Sequence, residues 1–222
     1  MRRLLSVALL LAGPAVAGLP APAAAQAAPA PDTQADDVAL DFARVYMDPA
    51  VYIPIIRTAL HGKVAACVKT QKFDAAQAAK QDADYDRYMD RWQPEFPGIQ
   101  RTVADTMRGA LDQVQLTELD TFYRSASGRK MIAVVVGEFA AMISSGETSC
   151  NSATIVDDQD KLTAAALGKL SPLEINDIAA FASSDTGRKF HDFQATLFAA
   201  VGPSLRDSLV RARQAAESGK GS

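Results

Sequence analysis

One stretch of this chain occurs twice, and it constrains the fold more than any other feature. Phe122-Tyr123-Arg124-Ser125-Ala126-Ser127-Gly128-Arg129-Lys130 recurs as Phe181-Ala182-Ser183-Ser184-Asp185-Thr186-Gly187-Arg188-Lys189, fifty-nine residues later. The surrounding apolar residues keep the same register. The shift carries Leu116 onto Ile175, Leu119 onto Ile178, Met131 onto Phe190, Val134 onto Phe193 and Phe139 onto Phe198. The pattern reads as an internal duplication of a helix–corner–helix unit, with copies at about 111–143 and 170–202.

Each corner has a physical logic. Ser125 and Ser184 are placed to cap the following helices by accepting from an otherwise unpaired amide. Gly128 and Gly187 then fall at the third helical position. A glycine there costs about 1 kcal/mol of helix propensity against alanine, so it implies close approach of another backbone. Two roles are open. In one, the corner is a joint that sets the angle of a helical hairpin, with Phe122 and Phe181 plugging it. In the other, a helix N-terminus and the basic pairs Arg129-Lys130 and Arg188-Lys189 hold an anion. Ser127 and Lys130 also fit a Ser-x-x-Lys spacing. The partner motifs of lysine-activated serine hydrolases are absent, however, and the second copy has Thr186 in place of the serine.

At these residues the chain resembles a family of exported bacterial proteins, the domain of unknown function twenty-fifty-nine. The family pattern is a leucine-rich short helix, an aromatic pair, then Ser-Pro-x-Gly-Lys opening a longer helix. Leu116-Thr117-Glu118-Leu119 followed by Phe122-Tyr123-x-Ser125-x-x-Gly128-x-Lys130 carries most of it, with Ala126 where proline is usual. The second copy keeps Leu173, Phe181, Ser184 and Gly187-Arg188-Lys189 but lacks the second aromatic. The resemblance covers about 100–209 and implies an all-helical envelope protein. It brings no catalytic residues with it.

The N-terminus agrees with export. Arg2 and Arg3 precede an apolar run from Leu4 to Ala17, and Ala23-Ala24-Ala25 offers a small-residue cleavage site. Residues 1–25 are therefore expected to be a signal peptide, 26–36 a disordered Ala/Pro-rich lead-in, 37–217 one helical domain and 218–222 a frayed tail. The protein is expected to be periplasmic or secreted, without a transmembrane segment. Loss of Arg2 and Arg3 takes the formal charge from −3 to −5, which disfavours nucleic acid as a partner. Cys67 and Cys150 form an even pair in an oxidising compartment and are expected to be bridged.

Helical spacing runs through the rest. Val38, Phe42 and Tyr46 mark a first helix, ended by Asp48-Pro49, and a second is expected from about 50 to 70 with Pro54 near its first turn. A third should run from Asp74 to Trp92. On it Asp82, Asp86 and Asp90 could be read as a cation site, or with Arg87 and Arg91 as a solvated face, which is the reading taken. Pro94 through Pro97-Gly98 should break the chain before a fourth helix carrying Val103, Met107, Leu111 and Val114. Ser171-Pro172-Leu173-Glu174 matches a preferred helix start. The last helix is expected from Asp185 to Ala216, with a kink or break at Gly202-Pro203.

The expected fold is an all-α helical bundle of seven to nine helices. His61 and His191 have no second ligand at metal spacing, and no phosphate loop or dinucleotide fingerprint occurs, so no catalytic, cofactor or metal residues are assigned. A non-enzymatic module that binds a partner protein or itself through an exposed apolar helix face fits best. A carrier of an apolar small molecule or lipid is the alternative, suggested by Phe190, Phe193, Leu197 and Phe198. A hydrolase using Ser127 and Lys130 comes last.

Overall fold

The computed structural model describes residues 37–70, 72–144 and 165–218. The expected signal peptide, the lead-in, Cys150 with the loop around it, and the last four residues lie outside them. Besides helical residues at 165–167, the described residues form eight α-helices and no strand: α1 Val38–Tyr46, α2 Pro49–Lys69, α3 Ala75–Trp92, α4 Phe96–Arg108, α5 Gln113–Arg124, α6 Ala126–Ser144, α7 Pro172–Ser183 and α8 Asp185–Ser218. The all-α bundle expected from the spacing is what the chain forms.

Short polar side chains start these helices by taking amides that have no partner within the helix. Asp37 accepts from Leu40 and opens α1, and Asp48 accepts from Ala50 at 2.8 Å and opens α2. Asp74 with Gln77, Asp112 with Gln115 and Ser171 with Glu174 form reciprocal capping boxes at the starts of α3, α5 and α7.

Four expected boundaries are corrected. First, α4 stops at Arg108 rather than running through Val114, because Gly109 ends it and the Asp112 box restarts the chain. Leu111 is buried in the link, and Val114 is exposed on α5. Second, the break after Trp92 is only a 3-10 turn, and α4 starts already at Phe96. Pro94 and Pro97 each occupy the first turn of a helical segment, the 3-10 turn Gln93–Glu95 and α4, where an amide would have no partner anyway. Third, α2 begins at Pro49, so Pro54 lies inside the helix rather than in its first turn. The carbonyl it leaves unpaired belongs to Ala50, an exposed residue that water can reach. Fourth, α8 runs through Gly202-Pro203 without the break that was one of the two expectations there. Its far half is held to α3 and the turn after it, where Trp92 Nε1 donates to Ser208 Oγ at 2.9 Å and Arg211 pairs with Glu95 at 2.6 Å.

Helix α1 lies between α4 and α5; α2 packs between α6 and α3; α8 packs on α3 and α4. The centre is a knot of aromatic rings. Phe42 meets Tyr46, Tyr123 and Phe190 at centroid separations of 5.2, 5.4 and 6.0 Å, the last two edge to face. Burying each such ring stabilises by roughly 1.5–3 kcal/mol, and edge-to-face contacts add about 0.5–1.5 kcal/mol. Burial also raises the Tyr46, Tyr52 and Tyr123 hydroxyls well above their ordinary range, so all three remain neutral phenols.

By length and composition 38–69 is apolar enough to cross a membrane. It is, however, parted at Met47 and Asp48 into α1 and α2, and it carries Phe42, Tyr46, Tyr52, Ile53 and Ile56 into the core. That is sufficient reason for its apolarity.

Candidate functional site: the paired corners and an arginine-lined cleft

The two corners have the same local geometry. Ser125 leaves helical geometry at φ −63°, ψ 164° and Ser184 at φ −71°, ψ 164°. Their hydroxyls accept from the amides of Gly128 and Gly187, both at 3.0 Å. A Cβ on Gly128 would lie 2.1 Å from the Phe122 carbonyl oxygen and 2.7 Å from Tyr123 Cα. On Gly187 it would lie 2.0 Å from the Phe181 oxygen and 2.9 Å from Ala182 Cα. In both copies the glycine is where one helix backbone runs against the end of the one before it.

The corners also bind each other, by contacts that the fifty-nine-residue shift exchanges. Phe122 stacks on Phe181 with centroids 4.0 Å apart and planes 4° from parallel. Ser127 Oγ donates to Asp177 Oδ2 at 2.6 Å, and Thr186 Oγ1 donates to Glu118. The shift carries Ser127 onto Thr186 and Glu118 onto Asp177. Lys189 Nζ donates to Gln115 Oε1 at 2.8 Å. The matching pair is Lys130 and Glu174. The Glu174 carboxyl is held below its usual range by the Ser171 amide and hydroxyl first, with the Lys130 charge assisting. Residue i meets j′ while i′ meets j, the pattern of an isologous interface, here within one chain. Sequence reasoning missed that Glu118, Asp177, Gln115 and Glu174 face the other corner, although the shift already set Glu118 on Asp177.

The hydroxyl of Ser127 is thus a bolt between helices. It is buried and bonded to Asp177, and Thr186 fills the same slot in the second copy.

The basic pairs differ in one respect. Lys130 and Lys189 both face the other unit. Arg188 folds back on its own corner, donating to the Ser183 carbonyl and to Asp185. At the position of Asp185 the first copy has Ala126. The Arg129 guanidinium makes no ion pair or hydrogen bond with any described residue, and this exposed side chain lines a cleft of about 560 Å³ between α1, the start of α2, α4 and α6.

Two further arginines line that cleft. Arg44 pairs with Asp41 at 2.9 Å, and Arg124 pairs with Asp120 at 2.7 Å. The hydrogen bond that Arg124 donates to Asp120 raises its guanidinium above the ordinary value. Val45, Val51, Pro49 and Ile132 supply an apolar wall. The buried Gln100 donates to the Met47 carbonyl at 2.9 Å and fixes the turn between α1 and α2 beside it. The sequence signal for this cleft was weak, because its lining comes from residues 41 to 132.

The three aspartates on α3 keep the partial exposure of a solvated face, but their partners stand on α2 rather than being Arg87 and Arg91. His61 on α2 sets Nδ1 2.7 Å from Asp82 and Nε2 3.0 Å from Asp86, while Arg57 reaches Asp90 at 2.6 Å and Asp86 at 3.5 Å. This ladder of charges ties α2 to α3. Among the described residues no three His, Cys, Asp or Glu side chains are grouped to hold a metal ion. Phe190 and Leu197 belong to the core, with Phe193 packed against it. Cys67 is buried on α2; its expected partner, Cys150, lies outside the described residues. Among the described residues, the exposed large apolar side chains Val68, Val114, Leu173 and Val210 stand one on each of four helices rather than along one helix face.

Fold and site together define an all-helical protein with two interlocked helical corners and an arginine-lined cleft. No protein-family model, no curated protein and no solved structure matches the chain.

Proposed function

We propose that this chain is a non-enzymatic binding module of the bacterial cell envelope that meets a partner protein at the cleft between α1, α2 and α6. One observation carries the reading. The two corners agree in cap, glycine, aromatic and lysine, and they part company at the arginine. Arg188 is bound to its own corner, whereas Arg129 stands free of described partners in the cleft wall. Where two copies of a unit diverge on an exposed, charged position beside a cavity, binding is a better account than folding. An exposed apolar helix face, the docking surface expected from the sequence, has less support than the cleft.

Export rests on the signal-like N-terminus, and the resemblance to the domain of unknown function twenty-fifty-nine rests on the corner residues; both are part of this proposal. So is the Cys67–Cys150 bridge. For a carrier of an apolar molecule, the segment first suggested is the weaker place, since Phe190 and Leu197 are part of the core.

A photo-crosslinking residue at position 51, on the apolar wall, tests the proposal in intact cells. The expected result is an adduct at 51 that disappears with Arg129→Gln and does not form from position 210 on α8. No adduct at 51, or the same adducts from both positions, would sink it.

A further inference from the structure

We infer that the cleft recognises a monocarboxylate attached to an apolar body, with Arg129 supplying the guanidinium fork. This rests on the reading of the cleft as a binding site and adds the chemistry of what enters it.

The charges around the cleft select the anion. Asp41 offsets Arg44, and Asp120 offsets Arg124. Asp48 is engaged at the start of α2, where its carboxylate accepts from the Ala50 amide. Arg129 is left with no carboxylate among the described residues. The amide does not cancel the Asp48 charge, so the lining carries no excess of cations, and what Arg129 offers is one guanidinium without an ion pair, able to take one carboxylate. A dianionic phosphate would meet Asp41 and Asp48 with a single free cation to offset them, and at separations near 4 Å such repulsions are on the order of 1–4 kcal/mol. A carboxylate also fits the two parallel donors of a guanidinium, which a lysine could not reproduce.

The walls select the rest of the ligand. Val45, Val51, Pro49 and Ile132 offer aliphatic surface beside the arginines, and none of them can donate a hydrogen bond from its side chain to a second polar group. The volume, about 560 Å³, lies within the range that holds small ligands or the last residues of a peptide. A free chain terminus with an apolar final residue and a medium-chain fatty acid present the same chemistry.

The test is a titration of the full mature chain, followed by amide NMR shifts, with octanoate, octanol and octyl phosphate. Octanoate should give saturable shifts at Val45, Val51 and Ile132, and octanol should bind about tenfold more weakly or worse. Arg129→Gln should weaken octanoate by about tenfold or more, Arg129→Lys by less, and Arg188→Gln not at all. Acetyl-Ala-Ala-Leu as free acid against its amide separates the sources: a preference for the acid at an affinity above that of octanoate supports a polypeptide terminus, and the reverse order supports a fatty acid. Equal octanoate affinity in the native protein and Arg129→Gln overturns the inference, as does tighter binding of octyl phosphate. If octanoate and the peptide acid both fail to bind while the adduct at position 51 persists, the ligand class is wrong and the binding module stands. If the adduct is missing too, both fall.

Discussion

The ring of Phe122 lies face to face with the ring of Phe181, 4.0 Å away and 4° from parallel. The two residues hold the same place in the two corners, so each corner ends by stacking on its counterpart. Aromatic pairs contribute about 0.5–1.5 kcal/mol beyond the area they bury. A double-mutant cycle with Phe122→Leu and Phe181→Leu is therefore expected to show a coupling of that size in urea denaturation. Additive effects would mean that the stack is only proximity.

The hydroxyl bolts should behave as a pair. Ser127→Ala leaves Asp177 without its donor, and Thr186→Val does the same to Glu118. Hydrogen bonds to charged groups contribute about 1.5–3 kcal/mol. Each substitution should cost somewhat less than that, because both carboxylates can recover water. The two costs should agree within about 0.5 kcal/mol. A large loss at one position and none at the other would break the equivalence of the corners.

The α2–α3 ladder makes stability depend on pH. Both ring nitrogens of His61 face carboxylate oxygens, and a neutral imidazole can donate from only one of them. Partial burial lowers the His61 pKa, but the hydrogen bonds and charges of Asp86 and Asp82 outweigh it and the net shift is upward from 6.5. A raised folded pKa means that the stabilisation is complete below about pH 6.5, the unfolded value, and is lost as pH rises through the folded value. Unfolding free energy followed from pH 5.5 to 9 should fall across that window, and His61→Gln should flatten this part of the curve. Parallel curves for the two proteins would rule the ladder out as its source.

Cys67 and Cys150 can be tested directly. Non-reducing peptide mapping of the exported protein should recover a Cys67–Cys150 linked peptide, and reduction should lower the melting temperature. The entropy model gives a loop of this length about 4–5 kcal/mol. Recovery of both as free thiols would remove the bridge from the account.

How much of this was legible in the chain depends on the range of the interaction. Caps are local, and Ser125, Ser184 and Ser171 could be read directly from short motifs. The end of α4 could not, because Leu111 continues the apolar spacing of Val103 and Met107 and is buried although it lies outside the helix. Burial has the helical period there even after the helix has stopped. The α3 aspartates were visible, but their role depends on Arg57 and His61, which carry the same four-residue spacing on the facing helix. Matching those two spacings would have found the ladder. The cleft depends on packing α1, α2, α4 and α6 together, and no local pattern encodes that. The divergence of Arg129 from Arg188 was present in the repeat as Ala126 against Asp185, and only the geometry gave it meaning.

The central claim is that the repeated motif is a joint in both copies, with a site beside one of them. Thermal and urea denaturation of Gly128→Ala, Gly187→Ala and Gly137→Ala tests it most directly. A methyl group at Gly128 or Gly187 meets backbone at about 2 Å, whereas at Gly137 nothing lies within 4 Å. Overpacking against backbone should cost about 3 kcal/mol or more at each corner. Gly137→Ala should be neutral or stabilising by up to about 1 kcal/mol through helix propensity. Two destabilised corner variants beside an intact control are the predicted result. A corner alanine as stable as Gly137→Ala would contradict it.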